Sequence, residues 1–178
     1  MQFDHDKFKA ILHYVVWKAG DKDGFGATKL YKVLWFSDAQ SFLLHGQPIT
    51  GETYVREKYG PLPRHADAII RELANEGALR FWNDTYYNKP IRHYRSLRTP
   101  DRISVTEEQR KIVDRWIIQI ADEHTAASIS EQSQDYAWEV AKLGEEIPYH
   151  AIFASRIRDP EGDELEWASR RAKELGLR

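Results

Sequence analysis

Residues 29–45, "KLYKVLWFSDAQSFLLH", set the strongest limit on how the chain folds. Leu30, Tyr31, Val33, Leu34, Trp35, Phe36, Phe42, Leu43 and Leu44 cover more than half the surface of the helix this stretch predicts. A helix that is apolar almost all round has to be enclosed by other elements, so this is the central helix of its domain. Thr28 is read as its N-cap and Gly46 as its stop. Within the apolar run stands one carboxylate, Asp38, and a carboxylate is costly to bury unless it is hydrogen-bonded or paired. The next segment holds Pro48, Gly51, Gly60, Pro61 and Pro63, which restrict the backbone or let it approach closely. It also offers partners for the carboxylate: the hydroxyls of Thr50, Thr53 and Tyr54, backbone amides near Gly51 or Gly60, and Arg56 or Lys58. Asp38 is therefore read as a staple between the central helix and residues 48–63, in preference to a general base.

Other elements follow from spacing and caps. Phe8, Ile11, Leu12, Val15 and Val16 form one helical stripe, capped by Asp4 or Asp6 and closed by Gly20 in a left-handed conformation. The turn "GDKDGFG" (20–26) begins like a calcium loop, but Lys32 occupies the twelfth position where a bidentate Glu belongs, so a calcium site is excluded. A third helix begins near Pro63, buries Ala66, Ile69, Ile70 and Leu73, and stops at Gly77. "ALRFW" (78–82) and "IRHYRSL" (91–97) predict two strands of a hairpin. Thr106 with Gln109 is a capping-box pair, opening a helix with Ile112, Val113, Trp116, Ile117 and Ile120 inward. Residues 128–144 predict a cap plus a short helix, and 147–155 another with Pro148 at its first position. From Asp159 onward, early acids and late bases match the dipole of a final helix. The expected fold is mainly α with one small antiparallel β-hairpin, an α+β arrangement whose three helices and hairpin follow winged-helix order. Residues 1–157 form the domain, and residues 158–178 form an amphipathic helix packed on it.

Composition narrows the chemistry. With no Cys there is no disulfide framework, thiolate zinc site or cysteine nucleophile. The seven His residues never fall four apart, and neither a phosphate loop nor a G-x-S-x-G turn is present. No catalytic residue, metal site or cofactor is assigned. A net charge of -2 disfavours a general polyanion binder. No apolar run approaches the roughly 18 residues of a membrane span, and the N-terminus lacks signal-peptide order, so a soluble cytoplasmic protein is expected. Charge is segregated nonetheless. Residues 89–102 carry five bases (Lys89, Arg92, Arg95, Arg98, Arg102) and one acid, whereas residues 122–146 carry seven acids and one base. These segments are either binding surfaces or two solvated faces that attract each other within the fold.

Residues 29–63 carry Lys29, Leu30, Lys32, Leu34, Trp35, Phe36 and Asp38, then Gly46, Pro48 and Ile49, then Tyr54, Tyr59, Gly60 and Pro61. This pattern resembles the Panacea domain, the SocA-like antitoxin family. "ISEQSQDYAWEVAKLGEEIPY" (129–149), with Trp138 and Pro148, is similar to the family's second block. Ser133-Gln134 stands where such proteins often have Ser-His, so a role that needs an imidazole there is in doubt. The resemblance covers roughly 8 to 155 and implies a bacterial or phage protein, in some cases prophage-borne. Its work would be to bind and neutralise a cognate protein toxin, encoded by the adjacent gene. Lys29, Leu34, Asp38, Gly46, Pro48, Tyr54, Trp138 and Pro148 are the motif residues expected to be structural.

Interface anchors are commonly Trp, Tyr or Arg, and the hairpin offers Trp82, Tyr86, Tyr87, Arg92, Tyr94 and Arg95; alternatively Trp82 and Tyr94 pack on the domain and only the turn is exposed. Tyr86, Tyr87 and Arg92 of the hairpin are therefore the expected toxin contact, with Tyr59, Gly60 and Pro61 as a rigid floor beside them. The alternative is a winged-helix DNA-binding regulator, with Arg64, His65 and Arg71 at the groove and Arg92, Arg95 and Arg98 on the wing; weak operator binding is compatible with the antitoxin reading. A metal-independent hydrolase ranks last.

Overall fold

In the computed structural model, which describes residues 2–100, 105–154, 166, 170 and 171, the helix α2 (Ala27–His45) is enclosed as its composition requires. Against it pack α1 (His5–Ala19), α4 (Glu107–Ile118) and α5 (Ala126–Gln132), together with the short strand β2 (Gly60–Pro63). Leu30, Val33, Leu34 and Trp35 are buried in one core cluster with Phe8 and Leu12 of α1 and with Ile112 and Ile117 of α4. Gly46 ends α2 at φ 71.

Caps that depend only on neighbouring residues stand where expected. The Asp4 side chain accepts from the Lys7 amide at 3.0 Å, and Thr106 and Gln109 cap α4 reciprocally. Two capping readings are corrected. Thr28 lies inside the first turn of α2, and the N-cap is Gly26, without a side-chain cap. Gly20 has φ −59, an ordinary right-handed value. A Cβ on Gly20 would lie 2.5 Å from the Val16 carbonyl oxygen and 2.8 Å from that of Tyr94; on Gly26 it would meet Ile91 at 2.6 Å. Both glycines admit a strand arriving from elsewhere in the chain.

Residues 54–63, read as a connection, form a second small hairpin. β1 (Tyr54–Glu57) pairs antiparallel with β2, Tyr54 opposite Pro63 and Glu57 opposite Gly60. Two prolines in a four-residue strand conceal it, because proline removes ladder donors and is confined to edges. The expected hairpin is β3 (Leu79–Tyr86) with β4 (Lys89–Ser96), following α3 (Ala66–Asn75). Phe81 pairs with Tyr94, Asn83 with Arg92 and Tyr86 with Lys89. Tyr87 (φ 48) and Asn88 (φ 60) make its two-residue turn, whose paired positive φ suits the twist of the strands. Only the base of this hairpin is buried, at Leu79 and Tyr94; every residue from 80 to 85 is exposed. The fold is mainly α with small β-hairpins, an α+β arrangement.

After α4 the chain makes a π-helical turn, Gln119–Glu123. Residues 128–144, read as a cap plus one short helix, hold parts of two: α5 ends at Gln132, and α6 (Tyr136–Glu139) starts with Asp135 accepting from the Trp138 amide at 3.2 Å. Pro148 precedes α7 (Ala151–Ala154), so it is not a first helical residue; its carbonyl accepts from the Ala151 amide at 2.9 Å. The C-terminal helix read over 158–178, the boundary at 157 and Arg102 lie outside the described residues, the three positions named above excepted. Among the described residues no helix is long and apolar enough to cross a membrane.

Candidate partner-binding surface

The surface rests on a buried polar centre. Asp38, 1 % exposed, accepts from the Thr50 amide (2.9 Å), the Thr50 hydroxyl (2.5 Å) and the Tyr54 hydroxyl (2.9 Å). The Tyr149 hydroxyl donates to the Glu52 carbonyl at 2.7 Å and lies 3.4 Å from the same carboxylate. Burial pushes the Asp38 carboxyl up from its ordinary range, and the Thr50 and Tyr54 hydrogen bonds pull it back. Of the partners read from the sequence, Thr50 and Tyr54 serve; Arg56 is used elsewhere. Glu52 is also buried and bonds His65 at 2.8 Å, where Phe3 stacks on the imidazole at 4.2 Å between ring centres. Burial raises the Glu52 carboxyl, and His65 lowers it.

Two motif lysines of α2 hold backbone carbonyls. Lys29 donates to Ala121 in the π-helical turn at 3.1 Å, and Lys32 donates to Pro61 at 2.9 Å. Burial lowers the Lys32 ammonium to about 7. Gly60, at φ 94, sits directly over it: a Cβ there would lie 2.7 Å from Lys32 Nζ and 2.2 Å from Ser133 Oγ. Only glycine meets both demands, of backbone angle and of space.

The two motif blocks, separate in sequence, meet along β1. The Ile147 amide donates to Tyr54 (2.8 Å), the Arg56 amide to Glu145 (2.8 Å), and the Gly144 amide to Arg56 (2.8 Å). The Arg56 guanidinium lies 3.8 Å over the Trp138 ring and donates to the Ala141 carbonyl at 2.6 Å. Trp138 Nε1 donates to Glu57 at 3.0 Å. Residues 144–147 thus cover the free edge of β1, which otherwise presents unpaired backbone groups. Leu34 and Tyr54 are buried, Pro48 and Trp138 half-buried, and Pro148 exposed.

The expected contact residues occupy two places. Tyr59 is 62 % exposed at the β1–β2 turn, while Gly60 and Pro61 lie beneath it against Lys32. Tyr86 and Tyr87 sit edge to face at 4.7 Å on the other hairpin. Tyr86 is half-buried, its hydroxyl donating to Asp23 at 2.8 Å, and Tyr87 is 84 % exposed. Arg92 donates to Asp67 at 2.7 Å and lies 5.7 Å from the Phe81 ring. Of the two residues that could have packed on the domain, Tyr94 is buried and Trp82 is exposed, and Phe81, which was not among the hairpin's expected anchors, is exposed beside it. Consecutive strand residues point to opposite faces, so two adjacent aromatics already required one to face away from the core.

Four charges of the basic and acidic segments pair with residues outside both. Arg92 pairs with Asp67 and Arg95 with Asp21, whereas Asp122 pairs with Lys22 and Glu146 with Arg64.

The family model described as "Antitoxin SocA-like, Panacea domain" matches residues 30–139, which span most of α2, both hairpins and α6. No curated protein and no solved structure matches the chain. The matched span is well over half of the 178 residues, and the chain belongs to the SocA-like antitoxin family of Panacea domains.

Proposed function

We propose that the protein is the antitoxin of a toxin–antitoxin pair and neutralises a toxin, encoded by the adjacent gene, through direct binding in the cytoplasm. The family supports an antitoxin role, and one structural observation carries the binding mode. The outer β3–β4 hairpin leaves aromatics exposed on both faces while its base is fixed in the core. Phe81, Trp82 and Tyr87 in water beside Arg92 have the composition of interface anchors, and their rigid base limits the entropy lost on binding. Tyr86, Tyr87 and Arg92 form the toxin contact, with Tyr59 over Gly60 and Pro61 as a second edge. Co-expression with the toxin tests this. The triple variant Tyr86→Ala, Tyr87→Ala, Arg92→Ala loses protection while keeping its melting temperature, and Tyr87→Ala alone weakens it. Full protection by the folded triple variant removes the hairpin from the interface.

DNA binding is the second reading, favoured by the order of three helices and a hairpin. The exposed side of α3 weakens it, since Asp67 lies one turn from Arg71 there, and Arg64, Arg92 and Arg95 already pair with acids.

A further inference from the structure

In the acidic segment 122–146, Asp122 pairs with Lys22 and Glu146 with Arg64. Within it, Tyr136 and Val140 lie one helical turn apart and are 54 % and 48 % exposed. With Ala141, Pro148 and Ala151 they line an open cleft of about 480 Å³ between α6 and α7. Glu145 and Glu146 line it too, and Glu139 is exposed on α6 next to Val140. Residues 131–146 hold five acids and one base, Lys142. Glu146 is engaged by Arg64 at 2.7 Å, and Asp135 caps α6. Of the other three, Glu131, Glu139 and Glu145, all exposed, Glu145 accepts from the Lys142 amide at 3.0 Å through one carboxylate oxygen, and Glu139 and Glu145 lie nearest Val140 and the cleft. A solvated acidic face has no need of exposed Tyr and Val side chains, and apolar groups rimmed by charge mark an interaction site. The floor is rigid, because Arg56 binds the Ala141 carbonyl and the Trp138 ring.

We propose that this cleft docks a basic, amphipathic segment of the toxin. Its apolar side chains rest on Tyr136, Val140 and Ala151, and its Lys or Arg side chains meet Glu139 and Glu145. The inference rests on the antitoxin reading and adds a second contact to the hairpin.

The test is calorimetric titration of the purified adjacent-gene toxin into the full chain at low and physiological salt. Four proteins are compared: the parent, Glu139→Lys with Glu145→Lys, Tyr136→Ser with Val140→Ser, and the hairpin triple variant. Each cleft pair is expected to raise Kd by about tenfold or more, and the charge-reversed pair to flatten the salt dependence, as rim charges do. Cleft variants that bind like the parent while the hairpin variant fails overturn this inference alone. A parent that does not bind the toxin overturns the antitoxin reading, and this inference with it. Cleft variants that melt lower without toxin would mean that the chain's own residues beyond 154 fill the cleft, which also overturns it. A parent dimer that the cleft variants convert to monomer would assign the cleft to a second copy, with the same consequence.

Discussion

Replacing Asp38 with Ala removes the acceptor for three donors at once: the Thr50 amide, the Thr50 hydroxyl and the Tyr54 hydroxyl. A buried donor left without a partner costs about 1–3 kcal/mol. The two hydroxyls can rotate toward other acceptors, but the Thr50 amide cannot. Against this, burial already disfavours the Asp38 charge, so its removal returns part of the loss. The net destabilisation expected is about 2–3 kcal/mol, a sizeable share of the roughly 5–15 kcal/mol typical of a domain. Asp38→Asn keeps the shape and one acceptor oxygen, and should lose only about 1–2 kcal/mol. Urea unfolding followed by tryptophan fluorescence suits the measurement, since the buried Trp35 ring lies 5.0 Å from that of Tyr54. An Ala variant within about 0.5 kcal/mol of the parent, the usual range of a surface change, refutes the staple. If such a variant also fails to protect cells, Asp38 belongs to a functional site.

Lys32 supplies a pH test. Its ammonium titrates near 7 in the folded protein, lowered from 10.5 by burial, so between these values the unfolded chain binds more protons. Stability from this group therefore rises with pH across that window, by up to about 1.4 kcal/mol per pH unit. The parent-minus-variant difference for Lys32→Met should climb accordingly, and parallel curves would contradict the burial of a titrating ammonium. For DNA, the isolated protein is expected to retain its own promoter only at low salt, because phosphate contacts weaken steeply as salt rises. Sequence-specific retention at physiological salt, measured by gel shift, would place the DNA reading first.

Local chemistry was readable from the sequence alone. An apolar surface almost all round identified α2 as the enclosed helix, and caps such as Asp4 and the Thr106–Gln109 pair involve only residues three apart. The staple was readable for the same reason: a buried carboxylate must find donors, and Thr50 and Tyr54 lie 12 and 16 residues away. The tertiary structure decided what depends on chains meeting from a distance. It brought Tyr149 to Asp38 across 111 residues and laid residues 144–147 along β1. It gave Gly20 and Gly26 their reason, the approach of β4, where the sequence suggested only a helix end and a turn. It also determined which charges pair, and so left an acidic cleft and an aromatic hairpin facing outward. Composition records how many charged and apolar groups a chain has, but exposure and pairing belong to surfaces, and those exist only once the chain has closed on itself.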